Sequence, residues 1–462
     1  MKPKESKFSR FSMFSPTDYR YAVDDLREYL SEDAFVRYKA KVEAALAIAL
    51  ADRGIIKKVH CEEIVRACDE VTAAEVYEEE ERTRHDIRAL VNVIRRRVSE
   101  GARPYVHLCA TSYDIVDTAN ALRYKDALEK VIIPDLIALE RVWISIAAEE
   151  KNTLQIGRTH GQHAIPITFG FAIAVYVHRL GTCILRLKRA AESLEGKFSG
   201  AVGAYNAISA VFDDAESFER DVLKQLNLKP ALISTQIVPP ENILEVVHAV
   251  IACFSVLANF CDDMRHLQRS EIAEVSERVH ETQVGSSTMP QKRNPVGFEN
   301  VKSIWKRFMP QILTMHLDQI SEHQRDLTNS ASQRYIAELL VAFDHCIRRL
   351  KRISERLTVD RERMRRNFNI SRDDIIAEPL YIMLALHGHP DAHEKVRTLS
   401  FKAYKEGKSL RQIAMQDEEI AYYLQKFTDI QKEIVFNPEK YTGIAQRKVE
   451  MVIKYWKERL DL

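Results

Sequence analysis

Gly285-Ser286-Ser287-Thr288-Met289-Pro290-Gln291-Lys292-Arg293-Asn294-Pro295 interrupts a chain that otherwise reads as helix. One glycine and two prolines exclude regular helix across it. Two serines, a lysine, an arginine and an asparagine lie close together in a segment free to move. That is the composition of a lid that closes on an anionic substrate and carries a hydroxyl to it. A polar connector between two helices is the plainer alternative.

Outward from this stretch, composition favours helix. Glycine is scarce, 14 of 462 residues, against a usual level of about 7%. Ala, Leu, Glu, Lys and Arg abound, and all are good helix formers. The length allows roughly two to four domains, and hydrophobic residues at 46% are ample for a large core. Basic residues number 68 and acidic 67, a formal net charge of +1. That balance argues against nucleic acid or a membrane surface as partner. The basic runs at Arg95-Arg96-Arg97 and 348–352 read as solvated helix faces. Seven cysteines, none in a C-x-x-C pair, are expected as free thiols in a reducing compartment, hence a cytoplasmic protein. Met1 to Pro16 has lysines and no apolar core, so no secretory signal is read. The most apolar stretches, 169–185 and 244–260, read as helices buried in a bundle and not as membrane spans.

Residues 1–20 are expected to be irregular and 23–98 helical, with pairs such as Glu78–Arg82 at i, i+4. Gly101 and Pro104 mark a boundary. Long periodic stretches follow at 114–150, 168–196, 211–225, 240–278, 296–322 and 329–357, with a kink expected at Pro134. Shorter helices fill the remainder, broken by Gly388-His389-Pro390 and Asn437-Pro438. The expected architecture is all-α, in three helical domains: 1–110, 111–366 with a central long-helix bundle and the Gly285–Pro295 stretch, and 367–462.

Four further segments carry chemistry. Gly157-Arg158-Thr159-His160-Gly161-Gln162-His163-Ala164 precedes a long apolar helix, and a histidine at such a loop–helix junction suits proton transfer near neutrality. A structural histidine bonded to backbone is the competing reading. Thr111-Ser112-Tyr113-Asp114 fits a helix N-cap. His85-Asp86, taken alone, is a surface pair on a helix. In Arg325-Asp326-Leu327-Thr328-Asn329-Ser330-Ala331-Ser332-Gln333-Arg334, Thr328 or Asn329 is expected to cap a helix, with Ser330 in its first turn and Arg334 one turn on. A helix N-terminus with arginines and a hydroxyl suits phosphate; capping plus surface arginines is the alternative. His387, His389 and His393 admit a metal-cluster reading, but Gly388 followed by Pro390 is ordinary helix termination.

The Gly285–Pro295 stretch resembles the signature loop of the fumarase/aspartase superfamily, G-S-S-x-M-P-x-K-x-N-P, at every fixed position. The Lys-Arg-Asn-Pro ending resembles the adenylosuccinate lyase and carboxymuconate cycloisomerase branches more than fumarases. Thr159-His160 with Gln162 and Ala164 resembles T-H-x-Q-x-A, and Thr111-Ser112 with Asp114 resembles T-S-x-D. Arg84-His85-Asp86 matches the R-H-D of adenylosuccinate lyases. Ser15-Pro16-Thr17-Asp18-Tyr19-Arg20-Tyr21 is similar to their opening S-P-L-x-x-R-Y. The matches run from Arg20 to Arg334. One position departs: Cys109 stands where H-x-G-x-T-S has glycine.

The resemblance implies a lyase that releases fumarate by C–N cleavage. It implies Ser286, His160, Lys292, Glu299 and His85 as the catalytic set. Ser286 would be the base and His160 the acid, oriented by Glu299. Lys292 and Asn294, with Arg293, would hold the carboxylate that gains negative charge. Thr111, Ser112, His107 and Thr159 would face the succinyl group, Asp86 and Gln236 the rest of the substrate. Arg325, Ser330, Arg334, Arg20 and Tyr21 would hold the nucleotide and its phosphate. The substrate implied is a succinyl-purine nucleotide: adenylosuccinate, giving AMP, and the succinyl-aminoimidazole-carboxamide ribotide. No metal and no cofactor is implied, and the family assembles each site from three subunits of a homotetramer. An argininosuccinate lyase, a carboxymuconate cycloisomerase and an inactive structural homologue are the alternatives.

Overall fold

The computed structural model describes residues 13–278, 288–289 and 291–462. Helix dominates. In chain order the helices are α1 (Pro16–Tyr19), α2 (Asp24–Leu30), α3 (Glu32–Asp52), α4 (Lys58–Glu70), α5 (Ala73–Thr83), α6 (Asp86–Arg96), α7 (Ser112–Ala127) and α8 (Ile133–Glu149). A hairpin of β1 (Leu154–Thr159) and β2 (Gln162–Thr168) precedes α9 (Phe169–Glu192), α10 (Asn206–Ser209), α11 (Ala215–Lys224) and α12 (Glu241–Leu267). Then come α13 (Val296–Phe308), α14 (Gln311–Asp318) and α15 (Ile336–Ser354). The shorter helices α16 (Arg361–Ser371), α17 (Ala377–Leu386), α18 (Ala392–Glu406), α19 (Leu410–Gln416), α20 (Glu418–Leu424), α21 (Asp429–Phe436) and α22 (Ala445–Leu460) complete the chain.

The all-α expectation stands, with refinements. The helix expected across 296–322 breaks at Met309-Pro310, where proline removes a donor and crowds the preceding turn. The helix expected from 240 to 278 ends at Leu267. Pro134 produces a widened π turn, Leu128–Ile132, between α7 and α8. Such a turn makes room for the proline ring. The hairpin was invisible to a helical reading.

The described residues fall into two compact units: 13–137, 182–258 and 301–349 in the first, and those within 138–181, 259–300 and 350–462 in the second. In the first, α3 is buried along most of its length and packs against α4, α7 and α11. Arg82 pairs with Glu79 and not with Glu78, because Glu79 is buried and gathers Arg82, Arg96 and the Asn92 amide. Arg97 pairs with Glu75. Arg348 sits among Asp25, Asp135 and Asp344 at 2.6, 2.7 and 2.9 Å. These basic runs are therefore partly spent on internal carboxylates and are not simply solvated.

In the second unit Trp143 stacks on Phe260 at 4.4 Å and donates its indole N–H to Ser354 Oγ at 3.1 Å. A second apolar cluster joins α17 to α21 through residues such as Leu380, Leu399, Ile413 and Val435. His387 bonds Gln431 at 2.9 Å, His389 faces Glu419 at 3.3 Å, and His393 meets the Tyr381 ring edge-on. Their partners differ, and among the described residues no group of three or more His, Cys, Asp or Glu could hold a metal. Gly388, with φ 82°, closes α17 as expected. By length and composition α9 and α12 could cross a membrane, yet 56% and 67% of their apolar windows are buried in the protein.

Candidate active site

In the first unit one cavity of about 340 Å³ is lined by His85, Asp86, Ser112, Gln236, Ser330 and Arg334, with Arg84, Tyr113, Asn120 and Arg123 beside them and Phe35 from α3. Six residues singled out in the sequence thus converge from segments far apart in the chain.

Each is positioned by local structure. His85 is not inside a helix; it is the N-cap of α6, and its Nδ1 accepts the Arg88 N–H at 3.3 Å. A capping nitrogen must keep its lone pair, so the neutral ring carries its proton on Nε2. Nε2 lies 3.4 Å from Ser112 Oγ. Asp86 is held by Lys39 Nζ at 3.2 Å and by the Ile87 N–H. Burial alone would raise its pKa, but the Lys39 charge and the Ile87 N–H outweigh it and the net shift is downward. Thr111 is the N-cap of α7, as its sequence suggests, and Asp114 accepts the Thr111 N–H at 2.8 Å. Asp114 also forms a fully buried ion pair with Lys197 and takes the Ser199 N–H at 3.1 Å. His107 Nδ1 lies 2.6 Å from Glu43 Oε1. Asp117 accepts the Val238 N–H at 2.9 Å and so tethers the loop that carries Gln236. Enclosure by protein pushes the Asp117 carboxyl up to about 6.

The segment 325–334 departs from expectation. Thr328 and Asn329 lie in a turn and cap no α-helix; a 3₁₀ turn, Ser332–Tyr335, precedes α15. The Ser332 hydroxyl instead binds Asp318 at 2.6 Å and the Asn329 carbonyl at 3.0 Å, which keeps the chain in turns until Ile336. Ser330 and Arg334 still reach the cavity, one just ahead of and one within the 3₁₀ turn that runs into α15. Arg325 stacks on Tyr113, 3.9 Å from its centroid, and bonds its hydroxyl. Arg20 is exposed at the end of α1, and Tyr21 meets His345 edge-on. Ser15 and Thr17 anchor α1 to the Glu338 carboxylate.

In the second unit His160 is not at a loop–helix junction. It forms, with Gly161, the two-residue turn between β1 and β2. Their φ values of 54° and 74° are both positive, as a type I′ turn requires. Thr159 and His160 are exposed. The hairpin is bulged at Gly157, where an added Cβ would lie 2.6 Å from the Ile165 carbonyl. Its base is fixed by buried Glu274, which binds Arg158 at 2.6 Å, Gln155 at 2.8 Å and Asn367 at 2.9 Å.

Ser286 lies outside the described residues. Lys292 and Arg293 are exposed, and Asn294, less so, accepts the Val296 N–H at 2.9 Å. The start of α13 is capped by Glu277, which accepts the Gly297 and Phe298 N–H groups at 3.0 and 2.6 Å. Glu299 faces Arg265 at 3.7 Å, and among the described residues no hydrogen bond or ion pair joins it to His160. The sequence reading missed Lys39, Glu43, Asp117, Arg123 and Glu277. Each acts on a partner remote in the chain, and only an ionisable residue at a core-facing helix position hints at such a role.

A family model described as lyase matches residues 17–309, and one described as adenylosuccinate lyase C-terminal matches 321–433. The chain is 38% identical to the adenylosuccinate lyase of Pyrococcus horikoshii, over 96% of this chain and 98% of that one. It is 35% identical to the adenylosuccinate lyase of Archaeoglobus fulgidus, over 96% and 99%. Among solved structures, a fumarate lyase from Mesorhizobium sp. BNC1 superposes with a TM-score of 0.83 at 24% identity, covering 94% of this chain and 98% of that one. A 3-carboxy-cis,cis-muconate lactonizing enzyme from Pseudomonas putida gives 0.82 at 25% identity, covering 96% and 99%. Full-length similarity to the curated relatives, together with the matched C-terminal model, separates the branch that shared fold leaves open: the chain belongs to the adenylosuccinate lyase family.

Proposed function

We propose that the protein eliminates fumarate from adenylosuccinate to leave AMP, and from the succinyl-aminoimidazole-carboxamide ribotide in the same way. The single observation that carries this reading is the cavity shared by His85, Asp86, Ser112, Gln236, Ser330 and Arg334. It combines a cation and hydroxyls for phosphate and carboxylate with an amide and a carboxylate able to read a purine or its precursor.

In the reaction, Ser286 takes the proton from the succinyl carbon next to the carboxylate. The electron pair left behind is drawn into that carboxylate, where Lys292 and Asn294 meet the growing negative charge. Fixed positive charge aimed at developing negative charge supplies most of the rate. The C–N bond then breaks, the carbon–carbon double bond of fumarate forms, and His160 protonates the departing nitrogen. A serine hydroxyl is a weak base, so its alkoxide needs the nearby Lys292 and Arg293 charges. Glu299 supports His160 in this scheme only once its pairing with Arg265 is exchanged.

The chain works as a homotetramer in the cytoplasm. Leu313, Leu317 and Ile320, 66%, 68% and 75% exposed at helical spacing, support a partner surface that a second copy covers. Seven free cysteines fit a reducing compartment. In the division 1–110, 111–366 and 367–462, the first boundary is supported by the irregular stretch before α7, whereas the second falls inside α16, and the shorter helices begin after α15.

The test is a spectrophotometric assay of the purified protein with adenylosuccinate, with AMP and fumarate identified as products. Turnover is expected. A folded protein that ignores both purine substrates but turns over argininosuccinate or carboxymuconate would overturn the reading.

A further inference from the structure

α3 presents Phe35, Lys39 and Glu43 at successive four-residue steps, one above the other on one face. All three are buried, with 8%, 5% and 1% exposure. A charged residue in a helix core is costly unless it is paired, and both charges here are paired, Lys39 with the cavity residue Asp86 and Glu43 with His107. Lys39 holds Asp86 at 3.2 Å and lies 4.1 Å from the Phe35 centroid. The Arg123 guanidinium lies 4.0 Å from the same ring. Glu43 holds His107 Nδ1 at 2.6 Å, which leaves Nε2 as the ring nitrogen able to meet a ligand. Leucines would fill these positions with less desolvation; charged residues there serve their partners.

We propose that Glu43 is a positioning residue for the reaction: from α3 it holds His107 through Nδ1, with Nε2–H presented to a carboxylate or phosphate of the substrate. Lys39 plays the matching part for Asp86. The groups facing His107 are Glu43 from α3, Asp114 from α7 and, as the opposing cation, Arg88 from α6. Burial would lower the His107 pKa, but Glu43 and Asp114 together outweigh it and Arg88, and the net direction is upward. The His107 backbone, at φ 65°, is itself in the left-handed region. A residue held there needs its surroundings to fix it, and the Glu43 bond does so. The cation is therefore present below the raised midpoint and lost as pH rises through it.

The inference rests on the reading that His107 faces the substrate, and one experiment separates the two. Full-length protein labelled with ¹³C at histidine Cε1 is titrated by NMR, with His107 identified by the signal lost in His107→Asn. In parallel, kcat/KM for adenylosuccinate is measured against pH. Glu43→Gln, which keeps a hydrogen bond and removes the charge, is expected to lower the His107 midpoint by about one pH unit or more. The alkaline fall in kcat/KM should move down by the same amount, with kcat on the acid side kept within about twofold. A midpoint that does not move overturns the inference. A midpoint that moves while the kinetic profile stays still overturns the substrate reading beneath it. Should Glu43→Gln fail to fold, the wild-type titration decides, because a His107 midpoint at or below the ordinary value of about 6.5 removes the imidazolium.

Discussion

In the first unit His85 and Asp86, which line the cavity, and His107 are each already bonded, to the Arg88 N–H, to Lys39 and to Glu43. At the tip of the hairpin in the second unit, Thr159 ends β1 and His160 stands on a left-handed turn, both exposed. The first arrangement suits binding: groups that hold a substrate gain from being fixed before it arrives, because less ordering is left for the binding step. The second suits proton transfer, where a ring must reach a departing nitrogen. Rigidity is still supplied, but one layer down. Glu274 clamps the base of the hairpin through Arg158, Gln155 and Asn367, and Gly157 lets the two strands approach.

The strongest test of that contrast is on kcat. His160→Gln and Ser286→Ala are each expected to lower kcat by about 10²- to 10⁴-fold while leaving KM near wild type, the pattern of lost acid or base chemistry. Steady-state kinetics at saturating adenylosuccinate measures it. Near wild-type turnover for His160→Gln would make the residue a turn former only, and the contrast would collapse.

A smaller effect is expected from the opposite side of the comparison. Arg334 lines the cavity as an exposed cation in the 3₁₀ turn that leads into α15. Arg334→Ala should therefore raise KM by about tenfold or more, the loss of one charge-assisted contact to phosphate, with kcat within about twofold. An unchanged KM would remove the phosphate from this end of the cavity.

The two regions were unequally legible in the sequence. Thr111 as N-cap, Gly388 as helix stop and the long helices α7, α9, α12 and α15 follow from local pattern, because capping and periodicity are short-range physics. The hairpin was hidden between two apolar helices, although His160-Gly161 is a possible two-residue turn. The cap expected at Thr328 or Asn329 failed because the Ser332 hydroxyl found Asp318 and the Asn329 carbonyl instead. Lys39 and Glu43 were unreadable for a different reason. Their partners are 47 and 64 residues away, and only the packing of α3 brings them together.

Cys109 tests the same contrast at its finest scale, since here the sequence showed an oddity whose meaning depended on the backbone. The residue lies at φ 64°, between His107, also left-handed, and the Thr111 cap. A side chain in that region costs about 1–2 kcal/mol relative to glycine. Glycine in turn gives up about 0.4–1 kcal/mol through the entropy of the unfolded chain. Sγ contributes a weak contact to the Ala207 carbonyl at 3.6 Å. The backbone strain outweighs the entropy gain and the thiol contact, so Cys109→Gly should stabilise by about 0.5 kcal/mol, whereas β-branched Cys109→Val should destabilise. Chemical denaturation of both variants checks the sign. A destabilised Cys109→Gly would mean that the thiol contact outweighs the strain. The loop between His107 and Thr111 would then be held by its side chains, as the cavity is, and not by its backbone, as the hairpin tip is.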